Sequence, residues 1–214
     1  MNEITRVSPV KLKGTPLKTE KRDHWDIVLE YAEEADGPWL TDLSHRPRFD
    51  LQAADVAAYK PFGMDVPASP GQTTISEGVV INRMNNSQVS IYNLAGQYEM
   101  PMPKDPAYTD VTEATLCVAL FGKPVFFICE KLSALDFADP EKTAPFLLQG
   151  PFSHVPCQIV ALEKTGDVPG IVLACSRGYG RDMMAAIFEA GAEFGVKPAG
   201  ENRFCNWIKR LYQN

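Results

Sequence analysis

Residues 155–175, VPCQIVALEKTGDVPGIVLAC, decide the fold class. Val155–Leu162 and Gly170–Cys175 are apolar, β-branched runs, and Thr165, Gly166 and Asp167 between them carry turn chemistry, so the spacing predicts a hairpin. A helix is predicted next, over about Arg181–Phe194, with Met184, Ile187, Phe188 and Gly191 on one face and Gly195 closing it. Upstream, Thr115–Leu120 reads as a buried strand. After it Pro124 suits a first helical position, with Val125, Ile128, Cys129 and Leu132 sharing the inner face.

The preceding stretch carries a similar pattern. Gly78–Ile81 and Val89–Leu94 flank Asn85, Asn86 and Ser87 and predict a second hairpin. Phe49 and Leu51 alternate with Arg48 and Asp50, a strand that runs into an Ala-rich helix over Ala53–Tyr59 and stops at Pro61. Trp25, Val28, Leu29 and Ala32 fall at i, i+3, i+4 and i+7 behind Asp23, which predicts a helix of about three turns ended by Asp36, Gly37 and Pro38. A last helix, within 201–214, holds Phe204, Ile208 and Leu211. The predicted fold is α+β: two split β-α-β (ferredoxin-like) halves, about 39–100 and 112–195, packed as one domain over 23–200. The Pro-rich loop 101–106 lies between the halves. Residues 1–22, with Lys11, Lys13, Lys18, Lys21 and Arg22, read as an extended arm suited to drape over a partner.

The 214 residues are 45% hydrophobic and 22% charged, an ordinary globular composition. With 21 Lys and Arg against 27 Asp and Glu, the net charge of -6 has the wrong sign for a duplex nucleic-acid binder. No apolar run approaches the roughly 20 residues of a membrane span; Cys117–Ile128 is broken by Gly122, Lys123 and Pro124. No secretory signal is visible in 1–22, so a cytoplasmic location away from membranes is expected. Cys117, Cys129, Cys157, Cys175 and Cys205 form no C-x-x-C pair, and His24, His45 and His154 are scattered. Reduced thiols and no metal site are expected.

Candidate chemistry is sparse. No G-x-G-x-x-G follows a strand, and Arg177-Gly178-Tyr179-Gly180 lacks the lysine and third glycine of a phosphate loop. No G-x-S-x-G nucleophile elbow is present. Asp42, Ser44 and His45 stand too close for a triad; they cap turns and meet backbone, or they contact a ligand or partner. Cys175 beside Arg177 is either a core thiol or a thiolate near a cation.

Several of these segments resemble, in order, the motifs of the glycine cleavage T-protein (aminomethyltransferase) family. Asp42-Leu43-Ser44-His45, Arg48-Phe49-Asp50-Leu51 and Ala54-Asp55-Val56 look like its D-x-S-H strand and G-x-D-A helix. Pro70-Gly71-Gln72 with Gly78-Val79-Val80-Ile81 is similar to its P-G-Q and G-G-I, and Tyr92-Asn93 to its V-N. Val118–Lys123 resembles A-L-Q-G-P, Leu135-Asp136 resembles L-D, and Arg177–Gly180 resembles R-T-G-Y-T-G, the whole set spanning 39–200.

The departures are informative. Where the family carries an acid after G-G-I, this chain has Asn82 and Arg83, and an amide cannot hold or release a proton there. Gly178-Tyr179-Gly180-Arg181 lacks the family's pterin-holding Glu, and no counterpart of the family's C-terminal barrel is expected in residues 1–214. Such a short, acid-less chain resembles the gamma subunit of heterotetrameric sarcosine oxidase, as do Cys175-Ser176-Arg177 and Ala192-Glu193-Phe194-Gly195. That resemblance implies an accessory chain without catalytic residues, partnered by larger flavoprotein subunits that hold the flavin and NAD, in N-methyl amino acid demethylation. Trp207 and Tyr212 are then candidate partner contacts, with ordinary core packing the alternative for Trp207. The alternative is a stand-alone tetrahydrofolate-binding transferase or regulator. Asn82, Arg83, Tyr92, Arg177, Tyr179 and Arg181 are its pocket candidates, Glu77 or Asp182 a substitute acid, and Lys197 or Arg203 a partner for the folate tail.

Overall fold

The structure, a computed structural model, describes residues 5–34, 36–94 and 100–212. The expected helix after Asp23 is instead the second arm of a β-ribbon: β1 (Pro16–Arg22) pairs antiparallel with β2 (Trp25–Tyr31). Trp25, Ile27 and Leu29 are buried together while Asp26 is exposed, so the operative period is two, and the helical spacing of Val28 and Ala32 is coincidental. Asp23 and His24 turn the ribbon at φ 47° and 65°, the positive-φ pair that suits a two-residue hairpin loop. Residues 16–22 of the expected arm are therefore β1.

β3 (Trp39–Asp42) and β4 (Arg48–Gln52) follow, then two 3₁₀ turns, Val56–Ala58 and Pro61–Gly63, in place of the expected Ala53–Tyr59 helix. Asp55 accepts a hydrogen bond from the Ala57 amide, a local bond that favours a turn over a helix interior. Next come β5 (Thr73–Ser76), β6 (Val79–Arg83), β7 (Gln88–Asn93), β8 (Tyr108–Asp110), β9 (Thr115–Phe121) and α1 (Val125–Leu132). The chain ends with β10 (Phe146–Phe152), β11 (Val155–Glu163), β12 (Gly170–Ser176), α2 (Gly180–Ala190), β13 (Lys197–Pro198) and α3 (Glu201–Tyr212). Both predicted hairpins, β6–β7 and β11–β12, are formed.

The architecture is mixed α+β. A six-stranded sheet runs β10-β11-β12-β9-β3-β13 and a five-stranded sheet β5-β6-β7-β4-β8. Strand β3 crosses from the first expected half to pair with β9. Both faces of the six-stranded sheet are buried, which is why its strands read as continuous apolar runs. Leu116, Val118 and Leu120 of β9 face the layer of α1 and α2, packing with Val125, Ile128, Met184 and Ile187. Cys117, Ala119 and Phe121 face the other way, with Tyr92 of the five-stranded sheet and Phe204 and Ile208 of α3. The outer face of the five-stranded sheet, with Phe49, Leu51 and Ile91, is covered by the segment containing Val56 and Phe62. Among the described residues, no helix is long and apolar enough to cross a membrane.

Candidate functional site

The Asp42–Arg48 segment is spent on holding the chain together. Asp42, at the end of β3, accepts from the Ser44 amide at 2.9 Å and from Ser8 Oγ at 2.5 Å. Ser44 Oγ accepts from the Cys117 amide at 3.2 Å. His45 and Arg46 both meet Glu201 at the start of α3, each at 2.7 Å. Burial pushes the Glu201 carboxyl up, but the hydrogen bond from His45 and the charge of Arg46 outweigh it and hold it down at about 2. Of the two readings of this motif, the cap and brace is what the geometry contains.

Arg48 is the buried centre of the segment. Its Nε donates to Thr115 Oγ1 at 3.0 Å, and its two terminal nitrogens donate to the carbonyls of Leu43, Ser44, Arg46, Thr112 and Thr115. The whole guanidinium fork is consumed by two loops, 43–46 and 112–115.

Beside Arg48, a cleft of about 440 Å³ opens between the two sheets. Strands β4 and β7 give Asp50, Gln88, Ser90 and Tyr92; the facing strands give Gln149, Gln158 and the ends of β11 and β12. Tyr92 spans the gap, its hydroxyl donating to Gln158 Oε1 at 2.5 Å, and burial pushes the phenol well up. Asp50 is the carboxylate of the wall, and it accepts from Gln52 at 2.5 Å and Gln88 at 2.9 Å. The surface is rich in amides that both donate and accept, a chemistry suited to a planar polar ligand rather than to proton transfer.

The candidates read from the sequence scatter around this cleft. Tyr92 lines it. Asn82 is buried one strand away, accepting from Thr73 Oγ1 at 2.8 Å and donating to Ser90 Oγ at 3.3 Å, in a cross-strand row that ends at the cleft wall. Arg83 donates to the Pro67 and Ala68 carbonyls at 3.0 and 3.1 Å. Arg177 donates to the Val7 carbonyl, clasping the N-terminal segment, and Tyr179 and Arg181 are exposed beyond it. Arg203 pairs with Glu34 at 3.1 Å and lies over the Trp39 ring. Glu77, Asp182 and Lys197 are not among the residues lining the cleft.

Trp207, a candidate partner contact with core packing as the alternative, takes the core role: it is 5% exposed, stacks on Phe121 at 4.8 Å and donates to the Val168 carbonyl at 2.8 Å. The amphipathic period of α3 turns it inward. The Tyr212 side chain lies outside the described residues. The cleft's Gln88, Gln149 and Gln158 carry no sequence signal, since single amides on three separate strands make no motif, and Asp50 stands out only within the Arg48–Leu51 strand. Among the described residues no three His, Cys, Asp or Glu converge as a metal site.

Mixed sheets layered with helices and opening on an inter-sheet cleft define an α+β domain. No protein-family model matches the chain, and no curated protein matches it in sequence. Among solved structures, it is similar to a chain of the heterotetrameric sarcosine oxidase from Corynebacterium sp. U-96, determined in complex with pyrrole 2-carboxylate, with a TM-score of 0.60 at 14% identity. The match covers 72% of this chain and 84% of that one, so the matched chain is the shorter of the two. At that identity the likeness is one of fold.

Proposed function

We propose that the chain is an accessory, gamma-type subunit of a sarcosine-oxidase-like flavoenzyme complex that demethylates N-methyl amino acids. The observation that carries this reading is the fold shared with one short chain of a heterotetrameric sarcosine oxidase. The T-protein-like order of motifs, with two ferredoxin-like halves across 23–200, belongs to the same reading. The site supports it: Asn82, one strand from the cleft, stands where the family has an acid, and Asp50 in the cleft wall is already engaged by two amides. Catalysis then rests on larger subunits, which hold the flavin and NAD.

The cleft itself favours a second reading, a tetrahydrofolate-binding transferase-like protein or regulator. Its 440 Å³ falls within the range of small-ligand sites, and the amides of Gln88, Gln149 and Gln158 keep hydrogen-bonding capacity for a pterin edge beyond their bonds to Asp50, the Met84 carbonyl and Tyr92. Among the described residues of the wall the carboxylate is Asp50, which accepts from the Gln52 and Gln88 amides.

Purifying the tagged chain gently from its own host and recording native mass with the visible spectrum tests the first reading. A hetero-oligomer that absorbs at flavin wavelengths and oxidises an N-methyl amino acid is expected. A colourless 23.7 kDa species overturns it, and tight binding of a reduced folate by that species establishes the second reading.

A further inference from the structure

Cys157 on β11 and Cys175 on β12 are direct partners in the antiparallel register, so their side chains leave the sheet on the same face. Directly opposed residues in such a ladder hold their Cα atoms about 4.5–5.5 Å apart, inside the span a disulfide requires. Both thiols are free, and both are 5% exposed. The pair sits at the end of the sheet: Pro156 and Ser176, beside them in sequence, are exposed, so a small opening of the strand ends uncovers the sulfurs. Their neighbours Gln158 and Ala174 line the inter-sheet cleft, where Gln158 receives the Tyr92 hydroxyl.

We propose that Cys157 and Cys175 are a redox-active dithiol that closes to a cross-strand disulfide, clamping β11 to β12 at the rim of the inter-sheet cleft. The two thiols are unequal. Cys157 donates to the Val155 carbonyl at 3.2 Å and Cys175 to the Ser176 carbonyl at 3.7 Å, and their mutual proximity lowers Cys175 and raises Cys157, so Cys175 is assigned as the attacking thiol. It attacks one sulfur of a small-molecule disulfide, such as oxidised glutathione; that S–S bond breaks and one glutathione leaves as thiolate. Cys157 then gives up its proton and attacks the Cys175 sulfur, expelling the second glutathione. Two protein thiols are oxidised by two electrons and one glutathione disulfide is reduced to two thiols. The remaining cysteines are placed differently: Cys117 and Cys129 are fully buried, and half-buried Cys205 lies near the Arg46 guanidinium.

The folded wild-type chain, equilibrated in glutathione buffers of rising disulfide-to-thiol ratio, acid-quenched, alkylated after unfolding and peptide-mapped, provides the test. A reversible Cys157–Cys175 linked peptide should accumulate while Cys117 and Cys129 remain alkylated. Full alkylation of Cys157 and Cys175 at ratios where Cys205 already carries glutathione overturns the proposal, as does either thiol pairing with Cys205. In Cys157→Ser, the mixed disulfide should persist on Cys175 for want of a resolving thiol, and in Cys175→Ser Cys157 should stay unreacted. The opposite pattern overturns the assignment of the attacking thiol. The wild-type mapping decides the main question even if a serine variant does not fold.

Discussion

His45 Nε2 lies 2.7 Å from the same Glu201 oxygen that Arg46 reaches at 2.7 Å, while Arg22 Nη2 meets the other oxygen at 2.8 Å. One buried carboxylate thus pins three distant segments: the β1–β2 ribbon, the β3–β4 loop and the start of α3. Removing a single member of such a cluster strands buried charge, which typically costs about 3–5 kcal/mol.

Glu201 releases its proton at about 2 in the folded chain against an ordinary 4.5. A depressed carboxylate stabilises fully above its unfolded value and loses that stabilisation as pH falls, here from about pH 5 down toward 2, a span equivalent to about 3 kcal/mol. Glu201→Gln is therefore expected to lower unfolding free energy at neutral pH by about 3 kcal/mol. It should also flatten the acid limb between about pH 5 and 2. Urea titrations across that range measure both, and an unchanged acid limb counts against the arrangement.

Arg48 is held by five backbone carbonyls and one hydroxyl rather than by a carboxylate. Lysine keeps the charge but has three donors on a point-like head and cannot span the two loops. Arg48→Lys should cost about 3 kcal/mol through stranded buried carbonyls. Faster hydrogen exchange over 43–46 and 112–115, with the α1–α2 layer unaffected, is the accompanying signature. Uniform loss of protection across the chain would mean that Arg48 is merely part of the general core.

How much of this was legible follows from where the information sits. Strands β9, β11 and β12 announce themselves because burial of both faces makes them uninterrupted apolar runs. Strand β10 hides because Gly150 and Pro151 inside it read as breakers; Pro151 is tolerated at a sheet edge. The β1–β2 ribbon is misread because its turn is Asp23-His24, without the glycine that usually marks positive φ. Asp42–His45 reads as either brace or contact, and only the fold brings Glu201, 156 residues from His45, against it as a brace. Gln88, Gln149 and Gln158 face one cleft through strand pairing over long separations, which no local pattern encodes.

The Tyr92 hydroxyl is the direct bridge from the five-stranded sheet to Gln158 of the six-stranded one. Tyr92→Phe keeps the ring, which is packed with Leu43, Leu94 and Ala119, and removes the bridge alone. Gln158 is half-buried at the cleft, so water can take over its oxygen, and the loss should be modest, about 1 kcal/mol by thermal or urea unfolding. Burial also raises the phenol, so wild-type stability tied to the neutral form is full below about pH 10 and drains away as pH rises further. An ultraviolet titration of the folded wild type should accordingly show Tyr92 ionising only as the chain unfolds, later than Tyr31, which burial raises to about 12. That late step should vanish in Tyr92→Phe; if it remains, the buried phenol belongs to a different tyrosine and the bridge is not what holds the cleft's two walls in register.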